Sequence, residues 1–238
     1  MNPNHRVIVA LDVENAAQAA KLVEQLGDAA SFYKVGLQLL TAEGPSAVRR
    51  LVTAGKHVFL DLKLFEIPNS VAGAISAAGQ LGVSMVTVHA SAGSAVLRAA
   101  VEAARAHPQL KVLALTVITS MGDHDLVEVG VSARVQEQVV RLARLAVHAG
   151  CHGVVASPQE ARLVHGLLPR GSLIVTPGTQ LPGEARNDHV RAATPAEAIR
   201  AGSTHLVVGR SISRSQDPLA SFVAIRDQVA QAVARSQA

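Results

Sequence analysis

Tryptophan is absent from the chain, tyrosine occurs once, as Tyr33, and phenylalanine four times. A core built with so few rings has to be aliphatic. Ala, Val and Leu dominate, as in parallel strands covered by small-faced helices. The same scarcity removes the aromatic platforms on which single-stranded nucleic acid stacks. There is one cysteine, Cys151, so no internal disulfide forms. That suits a reducing cytoplasm, the expected location, and Cys151 itself reads as a small buried apolar residue. No apolar run reaches the roughly 18 residues of a membrane span, and Met1 to His5 carry no apolar core of a secretory signal. Charged residues are only 17% against 49% hydrophobic, which excludes a disordered chain and allows a sizeable core. The net charge of +4 and pI of about 9.7 raise nucleic-acid binding. The basic residues are scattered, however, with no Lys/Arg run, so a bland basic surface with a weak attraction for anionic metabolites is the better reading.

The 238 residues are enough for one large domain and few for two, so a single catalytic domain over 1–238 is expected. Short β-branched runs alternate with Ala-rich stretches. Strands are predicted at 6–11, 31–36, 57–63, 84–89, 111–117, 153–156, 172–176 and 205–209. Helices are predicted near 15–26, 43–54, 68–81, 93–106, 134–149, 158–167, 195–201 and 217–234, on apolar spacings such as Val135, Val139, Leu142 and Leu145. Ser157-Pro158 and Thr194-Pro195 are start signals. Strand followed by helix throughout gives a parallel sheet able to close into a (β/α)8 TIM barrel. An open doubly wound sheet would carry a glycine-rich turn after the first strand, and Leu11-Asp12-Val13-Glu14-Asn15 has no glycine. Segments 118–133 and 177–194 are long for loops, a length usually tied to function or disorder.

A closed barrel places its active site at the carboxyl ends of its strands. Charged residues stand there on three neighbouring strands: Asp12 after the first, Lys34 near the end of the second, Asp61 and Lys63 at the end of the third. Period-two alternation points Asp61 and Lys63 to one side. A buried ion pair stapling the barrel mouth is the purely structural alternative. His89, ending the fourth strand, reads as a packing or hydrogen-bonding residue before a catalytic one.

The third strand runs on as Asp61-Leu62-Lys63-Leu64-Phe65-Glu66-Ile67-Pro68-Asn69-Ser70. This stretch resembles the D-x-K-x-x-D-I-P-N-T signature of the orotidine 5′-phosphate decarboxylases. Further matches follow in order along nearly the whole chain: Ala10-Leu11-Asp12, Lys34-Val35-Gly36, Val88-His89-Ala90-Ser91, Leu115 to Met121, Val175-Thr176-Pro177-Gly178 and Val208-Gly209-Arg210. The resemblance implies a cofactor-independent carboxy-lyase that converts orotidine 5′-phosphate to uridine 5′-phosphate, with no metal, in a homodimer with shared sites. It implies Lys63 as proton donor to C6 of the pyrimidine and Asp61 against the substrate carboxylate. Lys34 and Glu66 would complete an alternating array of charges, with Glu66 reaching in from the partner subunit. Asp12 would bind the ribose and Thr119 the pyrimidine. Ser70 would contact ligand across the dimer, within a substrate-binding stretch that takes in Leu62, Leu64, Phe65, Ile67, Pro68 and Asn69. Gly209 and Arg210 would hold the phosphate, with Gln180 and His189 beside them.

Four positions depart from the family pattern. Glu66 replaces Asp, Ser70 replaces Thr, Gln180 stands where Arg is expected, and His189 where Gln is usual. The changes at 180 and 189 keep a donor but alter charge and reach, which shifts charge recognition of the phosphate towards Arg210. Competing readings are a Schiff-base aldolase on Lys63 or Lys34, a metal-dependent sugar-phosphate decarboxylase or aldolase using Asp61 and Glu66, and a phosphate-ligand-binding barrel without catalysis.

Overall fold

The structure is a computed structural model that describes residues 5–181 and 193–237. Eight parallel strands pair in sequence order and close on themselves: β1 (Val7–Ala10), β2 (Phe32–Gly36), β3 (His57–Leu64), β4 (Met85–His89), β5 (Lys111–Leu115), β6 (Gly153–Val155), β7 (Leu173–Thr176) and β8 (His205–Val208). The fold is the (β/α)8 barrel read from the alternation.

The helices are α1 (Ala16–Leu26), α2 (Leu37–Glu43), α3 (Pro45–Thr53), α4 (Pro68–Gln80), α5 (Ser94–Ala104), α6 (Asp123–Glu128), α7 (Val135–His148), α8 (Pro158–His165), α9 (Pro195–Arg200), α10 (Arg210–Ser213) and α11 (Pro218–Gln237). Their starts are set by local chemistry. Asn15 accepts from the Gln18 amide to cap α1. Thr194 and Glu197 form a reciprocal capping box on α9. Ser157 does not cap α8 in this way: its hydroxyl donates to Glu160 instead.

Two expectations need correction. The helix expected over 43–54 is α3, starting at Pro45, but a further helix with no counterpart among the expected ones, α2, precedes it and is divided from it at Gly44 with φ 63. The long segment 118–133 is not all loop, because α6 lies inside it.

Strand alternation creates two cores. Outward-facing residues such as Val9, Val35, Leu60, Val86 and Val88 pack under the helices. Inward-facing residues, among them Ile8, Phe32, Phe59, Met85, Leu113 and Val175, fill the barrel. Lys34, Asp61 and Thr87 follow Phe32, Phe59 and Met85 at a spacing of two, so they share that inward face. Cys151 packs half-buried against the outer core, and burial pushes its thiol up to about 12.

β3 carries the main irregularity. Leu60 pairs with Val86 and Leu64 with Val88, so one residue of β4, Thr87, faces three of β3. Within this bulge Lys63 has φ 50, and no other non-glycine among the described residues has a positive φ.

Candidate active site

Four charges converge at the carboxyl ends of β1 to β3. Lys34 Nζ donates to Asp12 Oδ1 at 2.7 Å and lies 4.0 Å from Asp61 Oδ2. Lys63 Nζ donates to the same Asp61 Oδ2 at 2.8 Å. The charges alternate in sign and sum to zero, which allows four ionised groups to share one site. Lys34 and Asp61 are held by the barrel, with side chains 10% and 13% exposed. Lys63 and Asp12 face the opening at 33% and 52%. The second oxygen of Asp61 accepts from the Thr87 hydroxyl at 2.8 Å. Both oxygens of Asp61 are thus engaged by protein donors, an arrangement that orients the carboxylate.

These residues form one wall of a cavity of about 500 Å³, within the range of small-molecule sites. Leu115, which ends β5, and Ile118 and Thr119 after it form another part of the wall. The wall after β7 and β8 comprises Pro177, Gly178, Thr179, Gln180, Gly209, Arg210, Ser211, Ser213 and Arg214. In barrels of this type, that quarter commonly binds phosphate. It offers the guanidinium groups of Arg210 and Arg214 and, from Gln180, a buried amide nitrogen with no hydrogen-bond partner among the described residues.

Of the residues singled out in the sequence, Asp12, Lys34, Asp61, Lys63, Thr119, Gln180, Gly209 and Arg210 line this cavity. Leu62, Leu64, Phe65, Glu66, Ile67, Pro68, Asn69 and Ser70 do not line it within one chain. Leu62 and Leu64 pack partly buried against the outer core. Phe65 and Ile67 stand 66% and 61% exposed on either side of Glu66. Glu66 is exposed; the Ser70 hydroxyl and the Ile67 amide donate to its carboxylate and hold it below the usual glutamate range. His189 lies outside the described residues.

His89 serves locally. Its Nδ1 accepts from the Ser91 amide at 3.2 Å and its ring stacks on Phe65 at 5.5 Å. Burial, with the nearby charge of Lys63, lowers its pKa. Two site features escaped sequence reasoning. Arg214 lines the cavity one helical turn after Arg210, a spacing that could have revealed it. Thr87 contacts both Asp61 and Lys63, and its only signal was a polar residue on the inward face of β4.

Residues 5–225 match the family model described as Orotidine 5′-phosphate decarboxylase / HUMPS family. A protein of Moorella thermoacetica named orotidine 5′-phosphate decarboxylase is 45% identical over 236 residues, covering 96% of this chain and 94% of its own. The one of the same name from Halorhodospira halophila is 47% identical over 228 residues, covering 95% and 97%. Among solved structures, the orotidine 5′-phosphate decarboxylase of Lactobacillus acidophilus superposes with a TM-score of 0.84 at 37% identity, over 94% of this chain and 98% of that one. The chain therefore belongs to the orotidine 5′-phosphate decarboxylase family.

Proposed function

We propose that this protein is a carboxy-lyase that decarboxylates orotidine 5′-phosphate to uridine 5′-phosphate in pyrimidine biosynthesis, with Lys63 as the proton donor and without a metal or organic cofactor. The observation that carries the reading is the Lys63 ammonium paired at 2.8 Å with Asp61 inside an array of alternating charge. Its setting is a barrel whose family relatives bear that enzyme's name.

The chemistry asks for such an array. The bond from C6 to the carboxylate breaks, its electron pair stays on C6, and neutral CO2 leaves. The carbanion has no conventional electron sink, so preorganised charge must stabilise it. An ammonium beside C6 does so as charge develops and then gives up its proton to the same carbon. Asp61 beside the substrate carboxylate raises the ground state. Unit charges 4 Å apart interact by about 4 kcal/mol at an effective dielectric of about 20, and the share owed to the substrate carboxylate disappears as CO2 forms.

Asp12 is placed to take ribose hydroxyls and Thr119 the pyrimidine. Arg210 and the Gly209 backbone, on the wall after β8, suit the phosphate. Gln180 contributes a neutral donor there, which leaves charge recognition to Arg210, with Arg214 on the same wall. His189, outside the described residues, is a further phosphate-binding residue in this reading.

The reading includes a homodimer with shared sites and a cytoplasmic location. Leu37, Phe65 and Ile67 are 58%, 66% and 61% exposed just after the neighbouring strands β2 and β3. Large apolar side chains grouped at the mouth of a site favour burial against a second copy. The 62–70 stretch, Glu66 included, would then act across the interface. The single cysteine and the lack of any helix long and apolar enough to cross a membrane, among the described residues, agree with that location.

The test is to mix purified protein with orotidine 5′-phosphate in EDTA and follow the pyrimidine absorbance. Conversion to uridine 5′-phosphate is expected. Binding without turnover would leave a ligand-binding barrel, and turnover abolished by EDTA would favour the metal-dependent alternative.

A further inference from the structure

We propose that Thr87 is a positioning residue for this reaction: its one hydroxyl fixes both the orientation of the Asp61 carboxylate and the backbone that aims Lys63. The proposal rests on the reading of Asp61 and Lys63 as the reacting pair. The Lys63 amide donates to Thr87 Oγ1 at 2.9 Å, and Thr87 Oγ1 donates to Asp61 Oδ1 at 2.8 Å. The directions are fixed by chemistry. An amide N–H only donates and an ionised carboxylate only accepts, so the hydroxyl stands between them as acceptor on one side and donor on the other.

Asp61 is thereby divided in function. Oδ1 is held by Thr87, leaving Oδ2 for Lys63 at 2.8 Å and Lys34 at 4.0 Å. A carboxylate free to rotate about its last bond would exchange these roles, and the charge facing the substrate would blur.

The backbone argument is independent of the first. Lys63 sits at φ 50, in the left-handed region that residues with a Cβ rarely occupy, and its neighbours must hold it there. The register of β3 and β4 leaves a single residue opposite the bulge. Val86 and Val88 flank that residue and belong to the outer core, so Thr87 alone faces inward at this point. Its hydroxyl supplies the partner that the bulged Lys63 amide would otherwise lack. Thr87 is completely buried, so water does not compete for these bonds. It does not line the cavity, so it acts only through its two neighbours.

The test compares Thr87→Val, which keeps shape but removes the hydroxyl, with Thr87→Ser, which keeps the hydroxyl. Steady-state kinetics on orotidine 5′-phosphate, uridine 5′-phosphate affinity and thermal unfolding are measured for each, with Lys63→Ala as reference. Thr87→Val should lower kcat about tenfold to a hundredfold, the size expected when a reacting group is misplaced by a fraction of an ångström to an ångström. KM and product affinity should stay within about threefold, because no binding contact is lost. Thr87→Ser should restore kcat to within about threefold of wild type. If Thr87→Val does not fold, Thr87→Ala takes its place with the same expectations. The proposal is overturned if the hydroxyl-free variant keeps wild-type kcat, or if kcat falls equally in the Ser variant. Those outcomes with an inactive Lys63→Ala protein sink the positioning role alone. An active Lys63→Ala protein would remove the catalytic reading and this inference together.

Discussion

A single side chain, Lys63, brings together strain, charge and chemistry. Its φ of 50 costs on the order of 1–3 kcal/mol for a residue with a Cβ, a cost tolerated where surrounding structure over-determines the conformation. Lys63→Ala should fold, because Asp61 keeps Lys34 and Thr87 as partners. Its turnover should drop by at least about a hundredfold, the lower bound for a lost general acid. A variant retaining more than that, measured under saturating substrate, would show that Lys63 is not the donor. Arg210→Ala should instead raise KM with a smaller effect on kcat, and the wild type should use the unphosphorylated nucleoside poorly. Equal kcat/KM for nucleoside and nucleotide would refute the phosphate assignment. Much of this was readable from sequence, because Asp12, Lys34, Asp61 and Lys63 are charges where a barrel strand ends, and a charge there is conspicuous. Thr87 was not, because threonine is an ordinary strand residue and the bulge that gives it two partners leaves no mark in residue order.

Among the elements, β2 shows how backbone spacing protects the array. A Cβ added at Gly36 would lie 2.9 Å from Lys34 Nζ and 3.2 Å from Asp12 Oδ1. Both atoms are tips of movable side chains, so Gly36→Ala should cost little stability while displacing the ammonium from its place between two carboxylates. We expect a fall in kcat/KM of about tenfold or more with a melting temperature within a few degrees of wild type. Unchanged kinetics would mean that the Asp12–Lys34 pair tolerates movement and is not tightly placed. The strands were legible because parallel barrel strands are short β-branched runs with sharp ends. The helices were legible where apolar spacing continued, as in α7, or where Ser157-Pro158 and Thr194-Pro195 marked the starts of the short α8 and α9. α2 had neither signal: it follows β2 directly, and its Leu37, Leu39 and Leu40 read as easily as strand or turn. α10 is a single turn of four residues, too short to show an apolar periodicity. How residues 62–70 meet a ligand depends on whether a second chain covers Phe65 and Ile67, which one chain's sequence pattern does not encode.

The whole molecule carries an acid sensitivity at the end of the barrel opposite the site. His57 and His205 are the first residues of β3 and β8, and His5 lies 5.1 Å from His57 between ring centres. His205 is buried, and desolvation, with the charges of Arg6 and His5, lowers its pKa to about 4. His57 and His152 are lowered as well, chiefly by burial. An unfolded histidine titrates near 6.5. Between these values the unfolded chain binds protons that the folded chain refuses, so stability is complete above about pH 6.5 and declines as the pH falls towards 4. For His205 alone the full loss is on the order of 3 kcal/mol, a large part of a typical domain's stability. Urea unfolding at pH 7.5 and pH 5.0 should therefore give a clearly lower midpoint in acid. His205→Gln should narrow the gap between the two midpoints without closing it, because His57 and His152 still titrate. These groups sit away from the charged array, so activity at pH 5.0 should fade at least with the folded fraction. Equal midpoints at the two pH values, or a gap untouched by His205→Gln, would refute the assignment of the acid sensitivity to this end of the barrel.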